Sequence, residues 1–262
     1  MAGENRFGLP RRVPSNVKLA IRQRCGFGCV ICGLAFYDYE HFAPDFADAQ
    51  THDPAGMTLL CPNCNQKRAR KRLSAEAVAA ANADPACFKR GFASELFDFS
   101  SGPIEVKVAG ATFHNCRNLI VINGVPILSV APPDGPGRPV LLSGFFSNDK
   151  GKIVMRIHNN EFMLNSENWD VECVGAAIRI RNAKGDVALV VEMNPPDGMA
   201  ITKINMQFKG VRLRGDENLL EISSGGSIWT KMHAVSIRNG TSGIVFSNGE
   251  DPANDPIYEV PT

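Results

Sequence analysis

The pattern of hydrophobic and polar residues changes near residue 100. Beyond that point, apolar and polar residues alternate in short segments, and pairs such as Asn123-Gly124 and Asn239-Gly240 separate the segments. This alternation predicts strands with one buried face, and Asn-Gly pairs favour tight hairpin turns. We therefore expect residues 101–250 to form a β-rich domain, an antiparallel sandwich or barrel, with no helix.

The alternation is clearest in a set of short segments, which we predict to be strands. They are residues 104–108, 152–157, 177–181, 187–191, 203–208, 211–214, 235–238 and 244–246. The last stretch, residues 251–262, is polar and contains several prolines. Such a composition is typical of chain ends without packing partners, so we expect an extended tail.

Residues 1–100 follow a different pattern and predict a separate, smaller domain. The aromatic segment 36–42 and the apolar run 57–60 are typical of strands, and loop-forming residues fill the stretch between them. From Asn65 to about Ala83 the composition favours a helix, with a possible new start at Ser74. The predicted order is strand, loop, strand, helix, and the fold class of the whole chain is α+β.

Composition limits the compartment and the partners. The net charge is +1 and hydrophobic residues make up 44% of the chain, so a substantial core can form. The opening sequence has no apolar core suited to a signal peptide. No run reaches the ~18 apolar residues that a membrane helix needs. We expect a cytoplasmic protein that does not contact membranes.

Two Cys-x-x-Cys pairs are the most specific motif in the chain. They are Cys29/Cys32 and Cys61/Cys64, and residues 33–60 separate them. Four thiolates at this spacing satisfy a tetrahedral Zn²⁺ completely, so we predict a structural zinc site. Buried free thiols or a redox pair are the alternatives, although redox chemistry needs only one pair. Cys25, four residues before Cys29, is an alternative ligand.

Glu40, His41 and Asn65 lie between and directly after the cysteine pairs. A carboxylate and an amide oxygen suit a hard divalent ion such as Mg²⁺. An adjacent imidazole can deprotonate water for attack on a phosphodiester. The alternatives are structural: a solvated loop histidine, and an asparagine that caps the helix that begins there.

This stretch resembles the HNH endonucleases, also called ββα-metal nucleases, in their zinc-supported form. The resembling residues are the two cysteine pairs, Glu40-His41-Phe42-x-Pro44, Leu59-Leu60-Cys61-Pro62-x-Cys64-Asn65 and Lys67. The resemblance covers about residues 18–75. It implies that His41 is the general base, that Glu40 and Asn65 bind the catalytic metal, and that the four cysteines bind zinc.

Two positions depart from the family pattern. The middle asparagine, which usually holds the loop that bears the histidine, corresponds to Gly56 here. The orientation of His41 then depends on His52 or Asp53 taking over that role. The residue before the histidine is glutamate, where aspartate is more common, and glutamate still binds Mg²⁺.

A basic segment follows Asn65. In nucleases of this class the corresponding helix lies against the minor groove and backbone of DNA, which brings affinity but little sequence information. We therefore expect DNA contacts of low sequence specificity from Lys67, Arg68, Arg70, Lys71 and Arg72.

The β-rich domain carries weaker signals. His158, Glu161 and Asp170 could form a second polar site, but such residues between strands more often form turns. Trp169 and Trp229 are best explained as core or interface residues. A double-strand break needs two cuts, so the β domain could assemble a homo-oligomer. A strict monomer by light scattering would remove that expectation.

The sequence thus predicts a Mg²⁺-dependent HNH-type DNA endonuclease with a regulatory or assembling β domain. The resemblance suggests the hypothesis of a bacterial defence effector. One alternative is a zinc module that binds nucleic acid without catalysis. The other is an interaction protein whose β domain carries the function.

Overall fold

The computed structural model of the chain describes residues 3–249, which divide into two compact units. The amino-terminal unit comprises residues 3–96 and 162–186, and the β unit comprises 97–161 and 187–249. The predicted tail, residues 251–262, lies outside the described residues. The α+β fold class is confirmed, with helices in the amino-terminal unit and a larger β-rich part after them.

The amino-terminal unit contains the predicted order of strand, loop, strand and helix. Strand β1 (Asp38–His41) pairs antiparallel with β2 (Met57–Leu60), so that Glu40 lies opposite Thr58 and His41 opposite Met57. A single 3-10 turn, Pro54–Gly56, leads into β2. All four residues of β2 are buried, so this strand forms the centre of the unit's core.

The α-helices of this unit are α1 (Ser15–Cys25), α2 (Pro62–Ala69), α3 (Ala75–Ala83) and α4 (Ala86–Arg90). The predicted helix from Asn65 to Ala83 is therefore divided into α2 and α3. The predicted new start is confirmed, because the Ser74 hydroxyl accepts a hydrogen bond from the Ala77 amide at 3.1 Å and caps α3.

Four further strands belong to this unit: β3 (Phe92–Leu96), most of β10 (Glu161–Asn165), β11 (Asp170–Val174) and β12 (Ala177–Ala183). A buried ion pair connects α1 to β11. Arg22 donates to Asp170 through Nε at 2.7 Å and through Nη2 at 2.9 Å. Arg181 donates to the same carboxylate at 2.6 Å. Asp170 thus has a structural role, and these contacts do not support a second polar site around it.

The β unit consists of strands and loops, and its described residues include no helix. Its strands are β4 (Glu105–Val108), β5 (Ala111–His114), β6 (Asn118–Ile122), β7 (Val125–Ala131), β8 (Leu141–Ser147), β9 (Ile153–His158), β13 (Asp186–Asn194), β14 (Gly198–Phe208), β15 (Val211–Asp216), β16 (Leu219–Ser224), β17 (Thr230–His233), β18 (Val235–Arg238) and β19 (Ser242–Phe246). Every segment predicted as a strand from its alternation overlaps a strand, although residues 177–181 lie in β12 of the amino-terminal unit. Asn123 and Gly124 have φ values of 50° and 80°, as the predicted hairpin turn between β6 and β7 requires.

The strands of the β unit form two sheets. In one sheet β19, β6, β7, β8 and β9 are neighbours in that order, and in the other β13 to β17 follow one another. Phe145 and Phe208 bring the sheets into contact, with ring centroids 5.0 Å apart. Most neighbours are antiparallel, but β4 with β14, β5 with β18 and β6 with β19 are parallel. These parallel pairs join strands distant in sequence, which alternation alone does not reveal.

No helix in the part of the chain that the structure describes combines the length and the apolar character needed to cross a membrane.

Candidate metal centre and active site

The four cysteines of the two pairs lie together in the amino-terminal unit. Their Sγ atoms are all within 4.8 Å of one another, with 3.6 Å between Cys32 and Cys61 and 3.9 Å between Cys32 and Cys64. A tetrahedral ion with metal–sulfur bonds of ~2.3 Å places its sulfur ligands about 3.8 Å apart. The cluster could therefore hold a metal ion such as zinc. Four sulfur ligands leave no open position for a substrate.

Two tight turns bring these sulfur atoms together. In the first, the Cys29 amide donates to the Leu34 carbonyl and the Gly33 amide donates to the Cys29 carbonyl, each at 2.8 Å. Gly33 has a φ of 77°, which glycine adopts without strain. In the second turn, Cys61 caps α2, and its sulfur accepts a hydrogen bond from the Cys64 amide at 3.4 Å.

Ionisation of the Cys64 thiol in the cluster is unfavourable without a compensating cation. Burial raises the pKa of the Cys64 thiol, and the neighbouring Cys61 and Cys32 raise it further. Thiols packed this closely stay protonated unless a positive charge compensates them, and a metal ion that binds a thiol deprotonates it.

The other cysteines lie outside the cluster. The Cys25 sulfur is fully buried and lies 3.9 Å from the Thr58 hydroxyl and 3.8 Å from the Asn82 side-chain oxygen. Cys25 is therefore too far from the cluster to replace Cys29 as a metal ligand. Cys87, Cys116 and Cys173 are also buried.

Strand β1 and helix α2 bring Glu40 and Asn65 into contact. The Asn65 amide nitrogen donates a hydrogen bond to Glu40 Oε1. Because Asn65 follows Cys64 in the first turn of α2, the cysteine cluster determines its position. Burial raises the pKa of Glu40, and the hydrogen bond from Asn65 partly opposes that rise. Rotation of the Asn65 amide would present its oxygen beside the carboxylate, which gives two ligands suited to a hard divalent ion.

His41 is the last residue of β1 and is 8% exposed. Its Nε2 lies 3.3 Å from Nδ1 of His52, and its ring centroid lies 5.4 Å from that of Phe46. Burial, followed by the charge of His52, lowers the pKa of His41. The imidazole is therefore neutral near neutral pH, which is the form that can accept a proton.

Gly56 supports the loop after His41 through its backbone. Its carbonyl accepts hydrogen bonds from the Phe42 amide at 2.9 Å and the Ala43 amide at 3.2 Å. A Cβ atom at Gly56 would clash with the Ala43 carbonyl oxygen, so this position excludes asparagine in the observed backbone. Of the two residues proposed to compensate, His52 contacts His41. The Asp53 carboxylate instead accepts from the Ala55 amide and caps the 3-10 turn.

The basic residues after Asn65 are mostly exposed. Arg68 forms an ion pair with Asp45, so it is partly occupied within the protein. The other four are exposed and have no ion-pair partner within the described residues; they are Lys67, Arg70, Lys71 and Arg72. Lys67 and Arg68 lie in α2, whereas Arg70, Lys71 and Arg72 follow its end at Ala69.

Several residues around His41 were not assigned a role from the sequence. Arg11 lies 4.7 Å above the Phe46 ring and contributes a positive charge near Glu40. The Pro10 carbonyl contacts His52, from which it is 42 residues distant in sequence. No local pattern signals such contacts, because they depend on how residues 3–12 pass over the loop that follows β1.

No family model matches this sequence, and comparison with curated proteins and with solved structures likewise gives no match. The function must therefore be inferred from the residues and geometry of the chain itself.

Proposed function

We propose that the amino-terminal unit is a metal-dependent endonuclease of HNH type that hydrolyses DNA with low sequence specificity. The observation that carries this proposal is the contact between Glu40 and Asn65 beside His41. The β1–β2 pair and α2 create that contact between residues 25 positions apart. A four-thiol cluster in the adjoining turn and helix holds the same elements in place, and we propose that it binds a structural zinc ion.

The chain's own residues divide the reaction between them. His41 accepts a proton from the attacking water, and Glu40 and Asn65 would hold a divalent ion such as Mg²⁺. That ion would neutralise the scissile phosphate and stabilise the leaving oxygen. Adjacent strand residues point to opposite faces, and Glu40 contacts Asn65 whereas His41 contacts His52. A base and metal ligands that act from different sides suit in-line displacement at phosphorus.

DNA is the proposed partner because a run of exposed cations, which have no ion-pair partner among residues 3–249, follows Asn65 in the sequence. Lys67, Arg70, Lys71 and Arg72 can contact successive phosphates, which gives affinity without base recognition. Assembly of a homo-oligomer through the β unit stays a prediction, and light scattering tests it.

The first experiment compares plasmid cleavage by the wild type, His41→Ala and the matched control His158→Ala, each with Mg²⁺ and with EDTA. His158 is an exposed histidine in the β unit. We expect wild type and His158→Ala to cut only with Mg²⁺, and His41→Ala to lose roughly 10²–10⁴-fold in rate, the usual contribution of a general base. Full activity of His41→Ala would refute the assignment.

Binding separates the alternatives if no protein cuts. Replacing Lys67, Arg70 and Arg72 by glutamine should weaken DNA binding and reduce its salt dependence by roughly 0.9 in log–log slope for each lost phosphate contact. The matched control replaces the exposed Lys150, Lys203 and Arg212 of the β unit. Binding lost only in the first variant, without cleavage, indicates a non-catalytic zinc module. Absence of salt-dependent binding in the wild type indicates an interaction protein.

A further inference from the structure

His41, the candidate base, is the first of three hydrogen-bonding groups in series; the others are His52 and the Pro10 carbonyl. His41 Nε2 lies 3.3 Å from His52 Nδ1, and His52 Nε2 lies 2.9 Å from the Pro10 carbonyl oxygen. Nδ1 of His41 has no hydrogen-bond partner in the described part of the chain. The two rings are therefore linked in series. His52 Nε2 contacts the backbone at Pro10, whereas Nδ1 of His41 is free to interact with water.

The direction of these hydrogen bonds follows from the backbone end. A carbonyl oxygen can only accept, so His52 Nε2 must carry the proton. In a neutral His52 the other nitrogen, Nδ1, is then an acceptor. His41 Nε2 must therefore donate to it. A neutral His41 that carries its proton on Nε2 has a free lone pair on Nδ1, and that atom can take a proton from water.

The surroundings hold both rings in this arrangement. The Asn5 side-chain amide donates to the Phe46 and Ala49 carbonyls, each at 2.6 Å, and so connects the first residues of the chain to the loop that follows β1. The Phe46 ring packs on His41, and the Arg11 guanidinium lies 4.7 Å from the centroid of the same Phe46 ring. His41 therefore has little freedom to rotate. With the ring orientation fixed by its surroundings, His52 determines which nitrogen of His41 carries the proton.

We propose that His52 is the positioning residue of the nuclease: it accepts the Nε2 hydrogen of His41 and so reserves Nδ1 of His41 for the attacking water. The proposal rests on the proposed function for its catalytic consequence, but the tautomer of His41 is a property of the protein by itself. The His52 side chain thereby supports His41 from the loop. Gly56 has no side chain and cannot give this support.

Two substitutions separate the acceptor role of His52 from its bulk. In His52→Asn, the side-chain oxygen replaces Nδ1 and can still accept from His41. In His52→Gln, the terminal amide replaces Nε2 and can still reach the Pro10 carbonyl, but it leaves His41 without an acceptor. Both variants keep a polar side chain of moderate size, so a general packing defect should affect them similarly.

The primary measurement is the tautomer of His41, read from long-range ¹H–¹⁵N NMR correlations of the full chain and assigned by the signal lost in His41→Ala. The chain has five histidines, so the spectrum is simple. We expect the Nε2–H tautomer in the wild type and in His52→Asn, and a mixture of tautomers in His52→Gln. An Nδ1–H tautomer in the wild type, or the same tautomer in all three proteins, would overturn the proposal.

Cleavage kinetics give the second measurement. His52→Gln should lower kcat roughly 10–100-fold, the usual effect of losing an orienting partner, with KM for DNA little changed. His52→Asn should recover most of that loss. Equal kcat losses in both variants would also contradict the acceptor role. If the wild type does not cut DNA, the proposed function fails, whereas the NMR result still decides the positioning of His41.

Discussion

Gly56 shows at the scale of one residue how this site differs from the family that it resembles. The middle asparagine of the family pattern supports the histidine loop with its side chain, whereas Gly56 supports it with a carbonyl that accepts from the Phe42 and Ala43 amides. The chain passes so close to Ala43 that there is no room for a Cβ atom. The sequence suggests that the site has lost the family's asparagine, but the path of the backbone requires a glycine at position 56.

Restoring the asparagine should therefore harm the protein. We expect Gly56→Asn to lower the free energy of unfolding by roughly 1–3 kcal/mol, the usual cost of overpacking, and to reduce cleavage. Urea denaturation measures the first effect and plasmid cleavage the second. The matched control is Gly135→Ala, because the nearest side-chain atom to a Cβ at Gly135 is 3.7 Å away. A Gly56→Asn protein with higher activity would show that the family's asparagine was simply missing.

At the scale of elements, the cysteine cluster connects the turn before β1 to the start of α2. Cys61 caps α2 and Cys64 lies in its first turn, so the cluster determines where Asn65 lies. An α2 of eight residues is too short to be stable in water by itself. A metal ion bound by the cluster would hold the helix and the candidate Asn65 ligand in place.

Loss of one cysteine should consequently remove both the metal and the site. We expect the wild type to contain one zinc ion per chain by elemental analysis, and Cys61→Ser to contain none. Cleavage and helical circular dichroism should fall with the metal. The control Cys25→Ser removes a buried thiol outside the cluster and should keep its zinc. If Cys25→Ser lost zinc and Cys61→Ser kept it, the ligand set would be different.

The same elements show how far sequence reasoning reaches. The strand, loop, strand and helix around the cysteines were predictable, since each depends on local composition and on fixed motif spacing. The period-two segments of the β unit were predictable for the same reason. The contact from Pro10 to His52 was not, nor was the parallel pairing of β6 with β19. Both depend on which distant segments meet, and one sequence carries no local signal for that.

At the scale of the molecule, the amino-terminal unit is completed by a segment that comes much later in the chain. Residues 162–186 belong to this unit, and the buried Arg22–Asp170 pair fixes them to α1. Arg22 also donates to the Tyr39 hydroxyl at 2.7 Å. Tyr39 precedes Glu40 and His41 on β1, so the network that unites the unit also supports the strand that carries the candidate site.

Removal of Arg22 should therefore affect both stability and function. Breaking a buried ion pair leaves an uncompensated charge, and we expect Arg22→Ala to lower the free energy of unfolding by roughly 3 kcal/mol, near the lower end of the usual range. Arg181 still contacts Asp170 in this variant, which limits the loss. Urea denaturation of the full chain measures the change, and plasmid cleavage should fall because β1 loses the Tyr39 contact.

The matched control is Arg12→Ala, since Arg12 is exposed and has no ion-pair partner within the described residues. A surface change of this kind should alter stability by no more than about 0.5 kcal/mol. Equal stability of the two variants would mean that the Arg22 network contributes little. Other contacts would then hold residues 162–186 to the unit, among them the hydrogen bond from the Gln23 side chain to the Trp169 carbonyl at 2.8 Å. If Arg22→Ala were stable but inactive, the Arg22 network would serve mainly to position β1 and its site residues. It would then contribute little to the stability of the unit.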